Sequence, residues 1–160
     1  MVLKATFVRH RERRDRIYVT RQDGTSTFWD FPSYGDQLPH DLVHLVVETE
    51  LGLADGFWGM VDQGVEVTLI DNQATLVRQG RPLVGQPGFD FFDLTRAEEA
   101  VADLGATYLS GKAPPEISPS AVATIRQRLH DLGREWRGLT DGAAISLTFG
   151  TESDGRTLGA

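Results

Sequence analysis

The chain has 160 residues, enough for one domain with a core of its own, and its 40% hydrophobic and 24% charged composition is that of an ordinary globular protein. Its net charge of −7 argues against a general nucleic-acid binder, and no apolar run approaches the roughly 18 to 20 residues that span a bilayer. Cysteine is absent, which excludes disulfides and thiolate metal sites, so a transition-metal site here must use imidazole and carboxylate ligands.

Residues 2 to 10, VLKATFVRH, alternate loosely between apolar and polar positions and predict a strand. RERRDR reads as an exposed turn, IYVTRQ as a second strand, DGTS as a tight turn with an Asp-Gly signal, and TFWDF as a third strand, which together make an antiparallel meander. PSYGD breaks the pattern. A helix is expected next, from about Gln37 to Leu51, with Asp36 as N-cap, Pro39 in the first turn, and Gly52 closing it in the left-handed conformation while Leu53 packs back. GFWGMVDQ predicts a short second helix closed by Gly64, and VEVTLI at 65–70 is expected to pair with ATLVR at 74–78.

GRPLVGQPGFDFF, rich in glycine and proline, reads as irregular. Thr95 with Glu98 forms a capping-box signature for a short helix through Leu104, closed by Gly105, and SGKAPPEI reads as a linker. Ser118 and Pro119 open a long helix whose apolar stripe, Val122, Ile125, Leu129, Leu132 and Trp136, is spaced 3, 4, 3, 4. AAISLTF at 143–149 predicts a last strand that returns to the first sheet. The expected fold is α+β: an antiparallel sheet made of the N-terminal three-stranded meander plus the C-terminal strand, covered on one face by helices. Residues 1–150 are expected to form a single domain and residues 151–160 a flexible tail.

The sharpest chemical pattern lies in PHDLVHLVVETE, residues 39–50. At about 100° per residue, taking His40 as the origin puts His44 at about 40°, Glu48 at about 80° and Asp41 at about 100°. Leu42, Val43, Leu45, Val46 and Val47 take up most of the remaining circumference, so the helix reads as largely buried with one polar wedge. Imidazoles one turn apart on one face reach a single ion, and the positive helix end beside His40 favours its neutral, ligating form. Glu48 lies too far along the axis from His40 to complete that site easily. A third ligand is expected from Glu66, Asp90, Asp93, Glu98, Glu99, His10 or His130, among which the sequence does not choose. The plainer reading is a polar wedge with no ion, its imidazoles hydrogen-bonded to Tyr34 or to the backbone of PSYGD.

HDLVH resembles the His-Glu-x-x-His helix of the zincins over five residues and departs from it at Asp41, where the zincins carry their catalytic glutamate. That resemblance implies ligand roles for His40 and His44. It also implies a general-base role for Asp41, with a carboxylate one methylene short of the usual position. In LPHDLVHLVVE, LGLADGFWG and WRGLTDGAAISLTF the chain also resembles a set of small, uncharacterised bacterial proteins, which implies one domain and no particular mechanism.

RHRERRDR, residues 9–16, gathers Arg9, Arg11, Arg13, Arg14 and Arg16, groups suited to phosphate or carboxylate partners. No aromatic residue is interleaved at this hairpin tip, which weakens it as a stacking platform for single strands. Trp29, Phe57, Trp58 and Trp136 read as core residues. Gly-x-Ser-x-Gly, Walker A and dinucleotide-binding glycine patterns are absent, and FDFFD lacks the spacing of a calcium loop. The charges of MVLKATFVRHRERR follow its apolar run, so no secretory signal is expected and a cytoplasmic location is.

Two functional expectations follow. The leading one is binding of zinc or another divalent metal at His40 and His44, with hydrolysis as a further step involving Asp41. The alternative is a non-enzymatic interaction module whose arginine hairpin binds an acidic or phosphate-bearing partner. Neither implies a membrane, nucleic acid is not the expected partner, and a homo-oligomer is compatible with both.

Overall fold

A computed structural model describes residues 2–11, 14–31, 35–71, 73–84, 86, 94–101 and 117–150. The described chain runs through β1 (Leu3–Val8), β2 (Asp15–Thr20), β3 (Ser26–Phe31), α1 (His40–Leu51), α2 (Phe57–Asp62), β4 (Glu66–Ile70), β5 (Gln73–Arg78) and β6 (Arg81–Pro82). It continues through α3, helical over 94–101, then α4 (Pro119–Arg137) and β7 (Ala144–Phe149). The α+β expectation holds: β3-β2-β1-β7 is a four-stranded antiparallel sheet, and β4-β5-β6 is a second sheet of three strands.

Alternation explains the first sheet. Leu3, Ala5 and Phe7 of β1, Ile17 and Val19 of β2, Trp29 and Phe31 of β3, and Ile145, Leu147 and Phe149 of β7 all point to one buried face. Their register places Ala5 beside Val19 and Leu147, and Phe7 beside Ile17 and Ile145. Against this face pack Leu42, Leu45 and Val46 of α1 and Val122, Ile125, Leu129 and Trp136 of α4, in one continuous core. Each such side chain contributes on the order of 2 kcal/mol of burial. The long helix begins as its sequence predicts, with Pro119 in its first turn and Ser118 Oγ accepting from the Ala121 amide at 3.2 Å.

The tight Asp-Gly turn expected between β2 and β3 forms, and the structure corrects two other local expectations; in the turn the Arg21 amide donates to Thr25 O at 2.8 Å and the Gly24 amide to Arg21 O at 2.9 Å. The loop between is therefore the three-residue type, with Gly24 at φ 89° supplying its left-handed position. Helix α1 starts at His40 with Pro39 as N-cap, three residues later than expected, and Asp36 caps nothing but pairs with Arg9 at 2.7 Å. Residue 94 is already helical, so Thr95 is not the N-cap of α3 and Glu98 is not its capping-box partner. The β4–β5 hairpin forms as expected, and β6 adds a short strand where irregular chain was expected. The expectations for PSYGD at Pro32, Ser33 and Tyr34, for the end of α3 and its closing Gly105, for most of SGKAPPEI and for the 151–160 tail lie outside the described residues.

At the far end of α1, Gly52 adopts φ 65° and Leu53 donates its amide to Glu48 O at 2.9 Å, while the Leu53 side chain is buried. This is the left-handed C-terminal motif its sequence predicts. A Gly52→Ala variant is expected to lose about 1 kcal/mol because a Cβ is disfavoured in that region. The loss should appear as a lower urea midpoint with an unchanged slope, and no change would mean that the cap does not hold the helix end. No helix among the described residues is long and apolar enough to cross a membrane.

Candidate metal centre

Helix α1 is unusual in burying charge together with its apolar residues. Asp41, His44 and Glu48 are all buried, and Glu48 is 0% exposed. Apart from the exposed His40, the polar wedge is therefore an internal polar seam along α1, closed by α2 on one side and met by α3 on another. His40 and His44 come from the first two turns of α1 and Glu98 from α3, with their ligand atoms all within 4.8 Å of one another. The two imidazole rings lie 4.6 Å apart, and His44 Nε2 lies 3.4 Å from Glu98 Oε1. That last distance is close to the roughly 3.3 Å that separates neighbouring donors around a tetrahedral zinc ion. His40 and Glu98 are exposed, so both have room to close further.

The opposite nitrogen of His44 is held firmly. Nδ1 lies 2.8 Å from Glu48 Oε2, and Glu48 Oε1 accepts the Trp58 amide at 2.9 Å. Nε2 is buried and makes no hydrogen bond among the described residues; its approach to Glu98 is a charge contact without hydrogen-bond geometry. An unpaired buried nitrogen costs free energy unless a proton partner or a cation satisfies it.

Electrostatics divide the two histidines. Partial burial lowers His40 below its ordinary 6.5, and the charge of His44 acts in the same direction, which keeps His40 neutral. Burial alone would also lower His44, but its contacts with Glu48 and Glu98 outweigh that and raise it to about 9. Burial raises Glu48 against the opposing hydrogen bonds from His44 and the α2 amides, so the pair holds a proton tightly between them. Glu98 is held below its usual range by its proximity to His44. The result is a neutral imidazole, an anionic carboxylate and a second imidazole whose extra proton a divalent cation would have to displace.

Asp41 stands apart from this cluster. Its Oδ2 accepts the indole N–H of Trp29 at 3.2 Å, and its backbone carbonyl accepts the indole N–H of Trp58 at 2.9 Å. Burial raises its carboxyl to about 6, with the Trp29 hydrogen bond opposing. Trp29, Phe57 and Trp58 are core residues, as expected, and they wall the seam with edge-to-face and tilted ring contacts.

Of the third-ligand candidates among the described residues, only Glu98 is brought to both histidines. Glu66 lies beside Arg21 and Thr27, His10 faces Asp141 at 3.8 Å, and His130 and Glu99 are exposed elsewhere. Asp90 and Asp93 lie outside the described residues. The sequence names Glu98 as a candidate but also gives it a capping-box pattern; the signal that favours it is the apolar spacing of Leu94, Ala97, Ala100 and Val101, which turns one face of α3 into the core and leaves Glu98 beside it.

Of the described arginines of the hairpin, Arg9 is buried, Arg16 is partly buried, and Arg11 and Arg14 are exposed. Arg9 is 4% exposed, and it donates to Trp136 O at 2.6 Å and to Asp36. Arg11 donates to Leu139 O at 2.8 Å, and Arg16 to both oxygens of Asp30 at 2.6 and 3.4 Å. Arg14 and Arg16 line a cavity of about 340 Å³ with His10, Tyr18 and Asp30, and Arg13 lies outside the described residues. Strand pairing also supplies the aromatics that the tip lacks in sequence: Tyr18 sits opposite Phe28, and the Arg16 guanidinium lies 4.8 Å from the Phe28 ring.

No protein-family model matches this chain, and neither a curated protein nor a solved structure matches it.

Proposed function

We propose that the protein binds a divalent transition ion, with zinc as the reference case, through His40, His44 and Glu98. The observation that carries the reading is His44 Nε2: buried, without a hydrogen bond among the described residues, 3.4 Å from a carboxylate oxygen, with its ring tied at the opposite nitrogen. Metal-ligating histidines are held in this way, with the far N–H given to a carboxylate. Two imidazoles and one carboxylate suit zinc, iron or manganese better than calcium or magnesium. Three protein ligands leave a coordination position open at the surface, which is the arrangement of a catalytic rather than a closed structural site. Bound there, zinc would supply Lewis acidity and a water activated near neutral pH. Hydrolysis is the finer proposal. In that case His40 and Glu98, the exposed members, form the substrate-facing rim, and His44 anchors the ion from the interior.

The test is elemental analysis of untagged protein together with zinc titration of the wild type and Glu98→Gln. Near-stoichiometric metal in the wild type, with affinity lowered at least about 10-fold in the variant, is expected. Because a proton on His44 competes with the ion, affinity should rise from pH 6 to pH 8 and level off only towards the raised value of about 9. Neither protein taking up zinc, iron or manganese would end this reading and return HDLVH to a structural role.

A further inference from the structure

We infer that Glu48 is the positioning residue of the proposed centre: it keeps the His44 proton on Nδ1 and so leaves Nε2 as the ligand atom. The inference rests on the metal reading above, but it is carried by a separate set of contacts. Glu48 is 0% exposed, so no bulk water competes for its oxygens. A carboxylate only accepts hydrogen bonds, and each oxygen has a donor: Oε1 the Trp58 amide at 2.9 Å, Oε2 the Nδ1–H of His44 at 2.8 Å. Helix α2 approaches this carboxylate as closely as its sequence permits, since a Cβ on Gly56 would stand 2.7 Å from Glu48 Oε1. The Trp58 indole fastens α2 to α1 a second time through Asp41 O at 2.9 Å. Fixed from behind by a backbone donor, the carboxylate can turn only an acceptor towards His44, and an acceptor there dictates the tautomer.

That asymmetry distinguishes positioning from a simple helix-to-helix staple. In Glu48→Gln the Trp58 amide can still be met, but only by the carbonyl oxygen of the glutamine. Its NH₂ must then face Nδ1, which becomes an acceptor, and the proton moves to Nε2, where it blocks the ligand lone pair. A staple would survive this exchange with metal affinity intact; a positioning residue would not.

The experiment combines chelator-competition titrations with Zn²⁺ and Co²⁺ on the full chain and ¹⁵N spectra of its labelled histidines, for the wild type, Glu48→Gln, Gly56→Ala and Glu98→Gln. The expected result is an affinity about 10- to 100-fold weaker in Glu48→Gln, with the proton lost from His44 Nδ1 and the far-ultraviolet dichroism unchanged. Glu98→Gln should lose affinity while keeping that proton. Gly56→Ala retains both Glu48 and His44 and displaces the carboxylate, so it should weaken binding in the same direction and serves if Glu48→Gln does not fold. Wild type that binds metal, with Glu48→Gln or Gly56→Ala binding it as tightly and Nδ1 still protonated, overturns the role of Glu48 alone. Wild type that takes up no metal overturns the metal reading and this inference together.

Discussion

Replacing His44 by alanine is expected to abolish metal binding and to destabilise the fold by about 3 to 5 kcal/mol. Both effects come from one position. The ion loses its interior ligand, and Glu48, fully buried, loses the donor on Oε2 while its other oxygen remains on the Trp58 amide. A buried carboxylate without its partner carries the desolvation cost unrelieved. His40→Ala is the control: His40 is exposed, so its loss should remove metal with a stability change within about 1 kcal/mol. Chemical denaturation of the metal-free proteins separates the two terms. If His44→Ala unfolds at the wild-type denaturant concentration, the His44–Glu48 pair is not the ionic contact the geometry implies; if it binds metal like the wild type, the centre lies elsewhere.

Asp41→Asn should stabilise the protein, with a gain that begins above about pH 4 and is complete above about pH 6. In the fold the Asp41 carboxyl is raised from 3.8 to about 6 by burial, against the hydrogen bond from Trp29. A group whose folded pKa lies above its unfolded value favours the fold fully below the unfolded pKa, and that contribution is lost as pH rises through the folded one. The loss is about 1.4 kcal/mol per pH unit across this interval, so at neutral pH ionised Asp41 costs the fold about 3 kcal/mol as an upper bound. Asparagine keeps an acceptor for the Trp29 indole and never ionises. The variant should therefore match the wild type near pH 4 and exceed it by up to about 3 kcal/mol at pH 7. Urea melts at the two pH values decide it: a stability difference that is the same at both would show that Asp41 is not titrating in this window. An acid kept in so unfavourable a place, beside the proposed ligands, also makes metal affinity in Asp41→Asn worth measuring in the same samples.

The elements whose information is local were readable from sequence. Strand alternation in β1, β3 and β7, the stripe of α4 and the Gly52 cap each depend on residues within a few positions of one another. The same holds for the proximity of His40 and His44, which the helical period alone ensures once α1 exists. Local patterns also misled. Thr95 and Glu98 have the spacing of a capping box but lie within α3, and Asp36 has the chemistry of an N-cap but is occupied by Arg9. In both cases the chain passes the required geometry at another residue, and nothing within a few positions records that.

By itself, then, the sequence determined that this is an α+β chain with a mostly buried helix bearing two stacked histidines, and that any transition-metal ligands must be imidazole or carboxylate. Tertiary structure alone decided the rest. Packing of α3 on the core brought Glu98, alone of the five candidates among the described residues, beside both histidines. Docking of α2 at Gly56 buried Glu48, the i+4 neighbour of His44, and gave its second oxygen the Trp58 amide. Trp29, placed by β-pairing, drew Asp41 away, and the end of α4 drew Arg9 inward. The physical reason is one of range: backbone periodicity specifies which side chains share a face, whereas which faces meet depends on the packing of the whole core, and a buried charge settles on the partners that this packing brings to it.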